Sequence, residues 1–125
     1  MDGVAITTHG ATIALVAGDR LALPVLDYEF EMPPSVDEAY NGLRPPFDET
    51  LSPRLPGGLN IGAQLHFLLT KFPKEFARTD YILTYPQYWS FRLTGQARSE
   101  ATSLGCHTDL WQPETGQFSS LVGQM

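Results

Sequence analysis

Cysteine is all but missing from this chain. Cys106 is the only one in 125 residues, so no intramolecular disulfide can form, and such usage suits a reducing cytoplasm. Positive charge is also scarce. Eight Lys and Arg stand against fourteen Asp and Glu, a net charge of −6. Gripping a phosphate backbone needs a basic face, and so does adhesion to an anionic bilayer, so the balance argues against nucleic acid and membrane as partners. No apolar run approaches the roughly 18 residues of a membrane-spanning helix. The N-terminus has neither the basic nor the apolar region of a signal peptide. No Cys/His cluster has the spacing of a structural zinc site, so no metal ligands are assigned. Repeats and low-complexity tracts are absent as well.

What is present fits one soluble globular domain over residues 1–125, with 42% hydrophobic and 18% charged residues. The residue pattern predicts an α/β chain, with a strand and a β-hairpin followed by helices. The β-branched run Val4–Thr8 reads as a strand, expected to be buried. Thr12–Ala17 reads as a second strand and Leu21–Leu26 as a third, joined by a tight turn at Gly18-Asp19. Pro24 lacks a backbone donor, which makes the third strand an edge.

Residues 32–58 change character. Six prolines punctuate them and Gly57-Gly58 ends them, so a long loop is expected, with a short helix capped by Ser35 and Glu38. Asn60 then caps a helix whose apolar stripe is Ile61, Leu65, Leu68, Leu69 and Phe72, stopped by Pro73. Tyr81–Leu83 leads into a further helix. Pro86 suits its first turn, Gly95 its end, and Arg92 the negative end of its dipole. Trp111 to Gly116 reads as a turn, and Phe118 to Met125 as the first turns of a last helix.

Several side chains are candidates for chemistry. Thr7, Thr8, His9 and Gly10 close the first expected strand, and open α/β sheets bind ligands at the carboxyl ends of their strands. The imidazole can donate to or accept from a hydroxyl, and the glycine lets a ligand approach the backbone. The competing interpretation is a strand-end histidine with local hydrogen bonds only. His107 and Asp109 are too few for a metal site, and a pair so close in a turn is expected to hydrogen-bond locally. Cys106 beside His107 raises the separate reading of a thiolate hydrolase or oxidoreductase, but no oxyanion motif accompanies it. Tyr81, Tyr85, Tyr88, Trp89 and Phe91 read as core and groove packing rather than a base-stacking platform, which would need basic residues between them.

The stretch from Tyr85 to Ser103 is the most specific. A helix closed by Leu93-Thr94-Gly95 and followed by Ser99-Glu100-Ala101-Thr102 resembles the FGGY carbohydrate kinases, which transfer the γ-phosphate of ATP to a sugar hydroxyl. The resemblance implies part of an N-terminal ribonuclease-H-like (actin-like ATPase) domain, roughly a quarter of the family's full protein. It implies that Thr8, His9, Gly10 and Thr12 line a sugar or polyol pocket with Tyr28 and Glu29. The family's acid motif at that last position ends in an arginine that this chain lacks. ATP and Mg²⁺ are implied for the full-length parent. The family's Asp-x-Gly-Thr phosphate loop would precede Val4 and its catalytic aspartate would lie beyond residue 125. No catalytic residue is therefore assigned, and neither ATP nor Mg²⁺ is expected to bind this chain alone. Apolar surface left uncovered in such a fragment favours self-association. The alternative is a non-catalytic binding or interaction module that keeps half a kinase fold.

Overall fold

The computed structural model describes residues 2–125. Its centre is β1 (Ile13–Ala17), whose residues Ile13 to Val16 are all buried. An uninterrupted apolar strand is what burial on both faces demands. Gly18 has φ +61 and, with Asp19, turns the chain back so that Val16 pairs with Leu21 and Ala17 with Arg20 in β2 (Arg20–Leu21). The expected hairpin is there, but it is short. The remaining residues of the expected third strand leave the ladder before Pro24.

The other neighbour of β1 is β3 (Tyr81–Thr84), paired antiparallel from Ile13 opposite Thr84 to Val16 opposite Tyr81. Strand order is β2-β1-β3, so β2 is an edge, as anticipated. Two strand expectations change. Tyr81–Leu83 is a ladder strand and not a lead-in to a helix. Val4–Thr8 is not a strand: no strand among the described residues pairs with it, and Val4 is 66% exposed. β-branched composition favours extended backbone, but a strand needs a partner to satisfy its amides.

The proline-rich stretch is not one loop. It contains α1 (Pro34–Leu43) and α2 (Phe47–Thr50). Pro34 opens α1 from a first-turn position where its missing donor is harmless. The predicted Ser35 cap does not form, because the helix already starts before Ser35 and no side chain caps it. The main helix, α3 (Ile61–Lys71), packs on α1 and buries Ile61, Leu65 and Leu68. Asn60 stands at its N-cap, but its side chain serves the preceding loop, accepting from Leu55 N–H at 2.8 Å and donating to Pro53 O at 3.0 Å.

Pro73 ends α3 and opens the single turn α4 (Pro73–Phe76). α5 (Tyr85–Thr94) follows β3 directly and ends at Gly95, φ +71, as its sequence predicts. α6 (Ala101–Gly105) begins at Glu100. A small hairpin of β4 (Trp111–Gln112) and β5 (Gln117–Phe118) encloses the predicted turn. The expected last helix is only a 3₁₀ turn over Ser120–Gly123, which sends the buried Leu121 into the core. No helix among the described residues is long and apolar enough to cross a membrane.

Candidate functional site

The extended segment before β1 carries the predicted Thr8, His9 and Gly10. They lie at the entry to the central strand and not, as expected, at the exit of a preceding one, since no strand forms over Val4–Thr8. Thr12 is buried at the foot of β1. Its Oγ1 lies 3.0 Å from His9 Nδ1, and its carbonyl accepts the Tyr85 N–H at 3.1 Å. One threonine thereby fixes the imidazole and ties it to the start of α5. The His9 ring sits 5.0 Å from Tyr28 and 5.5 Å from Tyr85, tilted against both.

His9 stands where three recesses meet. The first, about 310 Å³, lies between His9, Gly10, Tyr28, Leu59, Cys106 and His107. A second, about 200 Å³, is bounded by His9, Thr12, Asp27, Tyr28 and Tyr85. The third, about 250 Å³, runs past Thr8 and His9 to Thr84, Thr102 and Ser103. A Cβ on Gly10 would sit 3.0 Å from Cys106 Sγ, so a larger residue there would press on that side chain.

Of the predicted site residues, Thr8, His9, Gly10, Thr12 and Tyr28 converge on these recesses. Glu29 does not. Its side chain is exposed and borders none of the three, while its N–H donates to Asp27 Oδ1 at 2.9 Å. The acidic residue that borders the aromatic recess is Asp27, also exposed. The expected role of Tyr85 is core and groove packing, yet no residue of α5 is fully buried, and Tyr85 is the second ring against His9. The signal for it was its place at the first turn after a strand, which β-ladder pairing alone reveals.

The His107–Asp109 pair behaves differently from its expected local bonding. Asp109 is fully buried and faces away to α1, accepting from Tyr40 Oη at 2.5 Å and from Arg44 at 2.9 and 3.0 Å. Burial, reinforced by the hydrogen bond to Asp109, raises the Tyr40 phenol well above its ordinary range, so it remains a donor. Arg44 also donates to the Ser52 carbonyl. His107 (φ +54) and Asp109 (φ +62) adopt left-handed backbone, and that turn leaves His107 and Cys106 on the cleft while Asp109 goes to the core.

The glycine pair offers no phosphate cradle. Gly58 N–H is already given to Tyr28 O at 3.2 Å, and a Cβ on Gly58 would lie 3.1 Å from that oxygen. No group of three or more His, Cys, Asp or Glu among the described residues is arranged to hold a metal ion. The recesses bring polar groups of Thr8, His9 and Asp27 beside the rings of Tyr28 and Tyr85.

No family model matches this chain, and the curated proteins give no match either. Among solved structures it is similar to a carbohydrate kinase from Novosphingobium aromaticivorans, at 49% sequence identity and a TM-score of 0.89. The likeness covers 93% of this chain and 25% of the kinase. The chain therefore spans about a quarter of the kinase it matches, and over that quarter it is a mixed α/β segment like that of a carbohydrate kinase.

Proposed function

We propose that this chain is a segment of an FGGY carbohydrate kinase, from the N-terminal ribonuclease-H-like domain, and that it supplies part of the sugar pocket. Identity of 49% to a carbohydrate kinase over nearly the whole chain carries the reading. The convergence of His9, Thr12, Tyr28 and Tyr85 supplies a site of suitable chemistry.

In this reading the acceptor sugar lies against the Tyr28 ring, which covers an apolar C–H face while polar groups fix its orientation. His9 Nδ1 is engaged by Thr12, so the ring is held and Nε2 is left for a sugar hydroxyl. Asp27 accepts from a second hydroxyl in place of Glu29. Phosphoryl transfer is chiefly positioning and charge stabilisation, and these residues contribute the positioning of the acceptor. ATP and Mg²⁺ belong to the rest of the parent protein. The work of this segment is to bind and orient.

A chimera tests the reading. This chain replaces the matching quarter of the Novosphingobium kinase, with thermal melting to verify folding. Sugar-dependent ATP turnover by the chimera is expected, with none from the isolated chain. A folded chimera that shows no sugar-dependent turnover counts against the assignment.

A further inference from the structure

We propose that Gln64 is a positioning residue for the His9 cleft: its side-chain amide sets the spacing between the wall that carries His9 and the wall that carries Tyr28. Gln64 lies on α3 and is 0% exposed. Its Nε2 donates to two backbone carbonyls from distant parts of the chain, Ala11 O at 2.8 Å and Gly58 O at 2.5 Å. Ala11 follows His9-Gly10 directly and lines the same cleft. Gly58 is joined to the other wall through its N–H on Tyr28 O, in contact so close that a Cβ would stand 3.1 Å from that oxygen. The chain of bonds from Ala11 through Gln64 and Gly58 to Tyr28 thus crosses beneath the cleft.

The orientation of the amide is dictated by chemistry. A flip would set its oxygen against two carbonyl oxygens that have nothing to donate. As placed, Oε1 is buried without a hydrogen-bond partner. An apolar side chain of equal length would fill this space without burying an orphan acceptor, so packing alone does not explain a glutamine here. What the apolar chain lacks is the pair of donors that holds two carbonyls. Gln64 borders none of the three recesses itself and acts through its partners. Its meaning for sugar binding rests on the pocket proposed above, while the geometric claim stands apart from it.

Gln64→Met tests this in the 125-residue chain, because methionine keeps the length and removes both donors. Leu68→Ala, a buried truncation on the same helix, is the control for general loss of stability. Two ligand-free readouts are used: the nuclear Overhauser contacts between the His9 and Tyr28 rings, and the rate at which iodoacetamide alkylates Cys106, whose sulfur abuts Gly10. Gln64→Met is expected to weaken the ring contacts and to change the alkylation rate several-fold, with Leu68→Ala changing neither. A folded Gln64→Met protein with wild-type ring contacts and alkylation overturns the proposal. If Gln64→Met does not fold, exchange of the wild-type Gln64 side-chain NH₂ protons decides. Strong protection supports the clamp, and exchange as fast as an exposed glutamine refutes it. In the chimera, Gln64→Met is expected to raise the sugar KM several-fold with little change in the ATP KM. Altered ring contacts with an unmoved sugar KM would uphold the clamp and refute the pocket.

Discussion

Removing the Asp109 carboxylate leaves the Arg44 guanidinium and the Tyr40 hydroxyl without their buried acceptor. Asp109→Ala is therefore expected to destabilise the chain by about 3–5 kcal/mol, the range for breaking one side of a buried pair. Chemical denaturation measures it. Replacing the pair together, Arg44→Met with Asp109→Leu, should be markedly milder because no charge is then stranded; equal losses from both variants would contradict this account. Gly62→Ala probes the same region by sterics. Its Cβ would lie 2.5 Å from Tyr40 Oη and 3.0 Å from Thr108 O, so overpacking should cost about 1–3 kcal/mol. An unchanged denaturation midpoint would refute it. Neither residue announces this role in the sequence. His107 and Asp109 look like a local pair, but the partners of Asp109 lie 65 and 69 residues away, beyond any window of neighbouring positions. His9, Gly10 and Tyr28 do border one cleft, a grouping that the resemblance implied for Tyr28 and that the expected first strand, which does not form, could not supply. Glu29 does not, since one residue along an irregular segment turns a side chain from cleft to solvent.

Of the expected helix ends, the stop at Pro73 and the left-handed Gly95 form, whereas Ser35 and Asn60 make no side-chain cap. Gly95 has φ +71 and open space where a Cβ would go, so any loss on substitution comes from backbone strain alone. Gly95→Val should cost more than about 1 kcal/mol and lower the thermal midpoint by several degrees, while Gly95→Asn should cost much less. Equal midpoints for the two variants would remove Gly95 from this role. Glu100 caps α6 by accepting from Thr102 and Ser103 amides. Its carboxyl is pushed down from 4.5 to about 2, first by the Thr102 hydroxyl and then by those amides. A depressed folded value means the cap's contribution is complete above about 4.5 and fades as pH falls towards about 2. A carboxyl titration by NMR checks this, with Glu100→Gln abolishing the pH dependence of the Thr102 and Ser103 amide shifts. A Glu100 midpoint near the ordinary value would contradict the cap. Strands depend on partners distant in the chain. Val4–Thr8 has the composition of a strand and no partner, whereas Tyr81–Thr84 becomes one only because β1 lies beside it. The prolines of residues 32–58 suggest a loop, but Pro34 stands in the first turn of α1, where proline is tolerated.

At the scale of the molecule, the mixed α/β character was visible in the order of the segments. The small sheet's pairing was not, because antiparallel register between β1 and β3 joins residues far apart in the chain. β3 is an unpaired edge, and beside it runs an apolar recess of about 330 Å³ bordered by Leu65, Ile82, Leu110, Phe118 and Val122. Such a face favours association. The isolated chain should therefore self-associate with rising concentration in sedimentation velocity, and Ile82→Lys should reduce this; a monomer at all concentrations would refute it. The cleft around His9 is proposed to receive the acceptor sugar. The most direct test is His9→Ala in the chimeric kinase, with the sugar KM and the ATP KM measured side by side. Loss of a buried hydrogen bond to a hydroxyl, about 1–3 kcal/mol, predicts roughly a 5- to 150-fold rise in the sugar KM with the ATP KM little changed. An unmoved sugar KM, or equal rises in both constants, would contradict it.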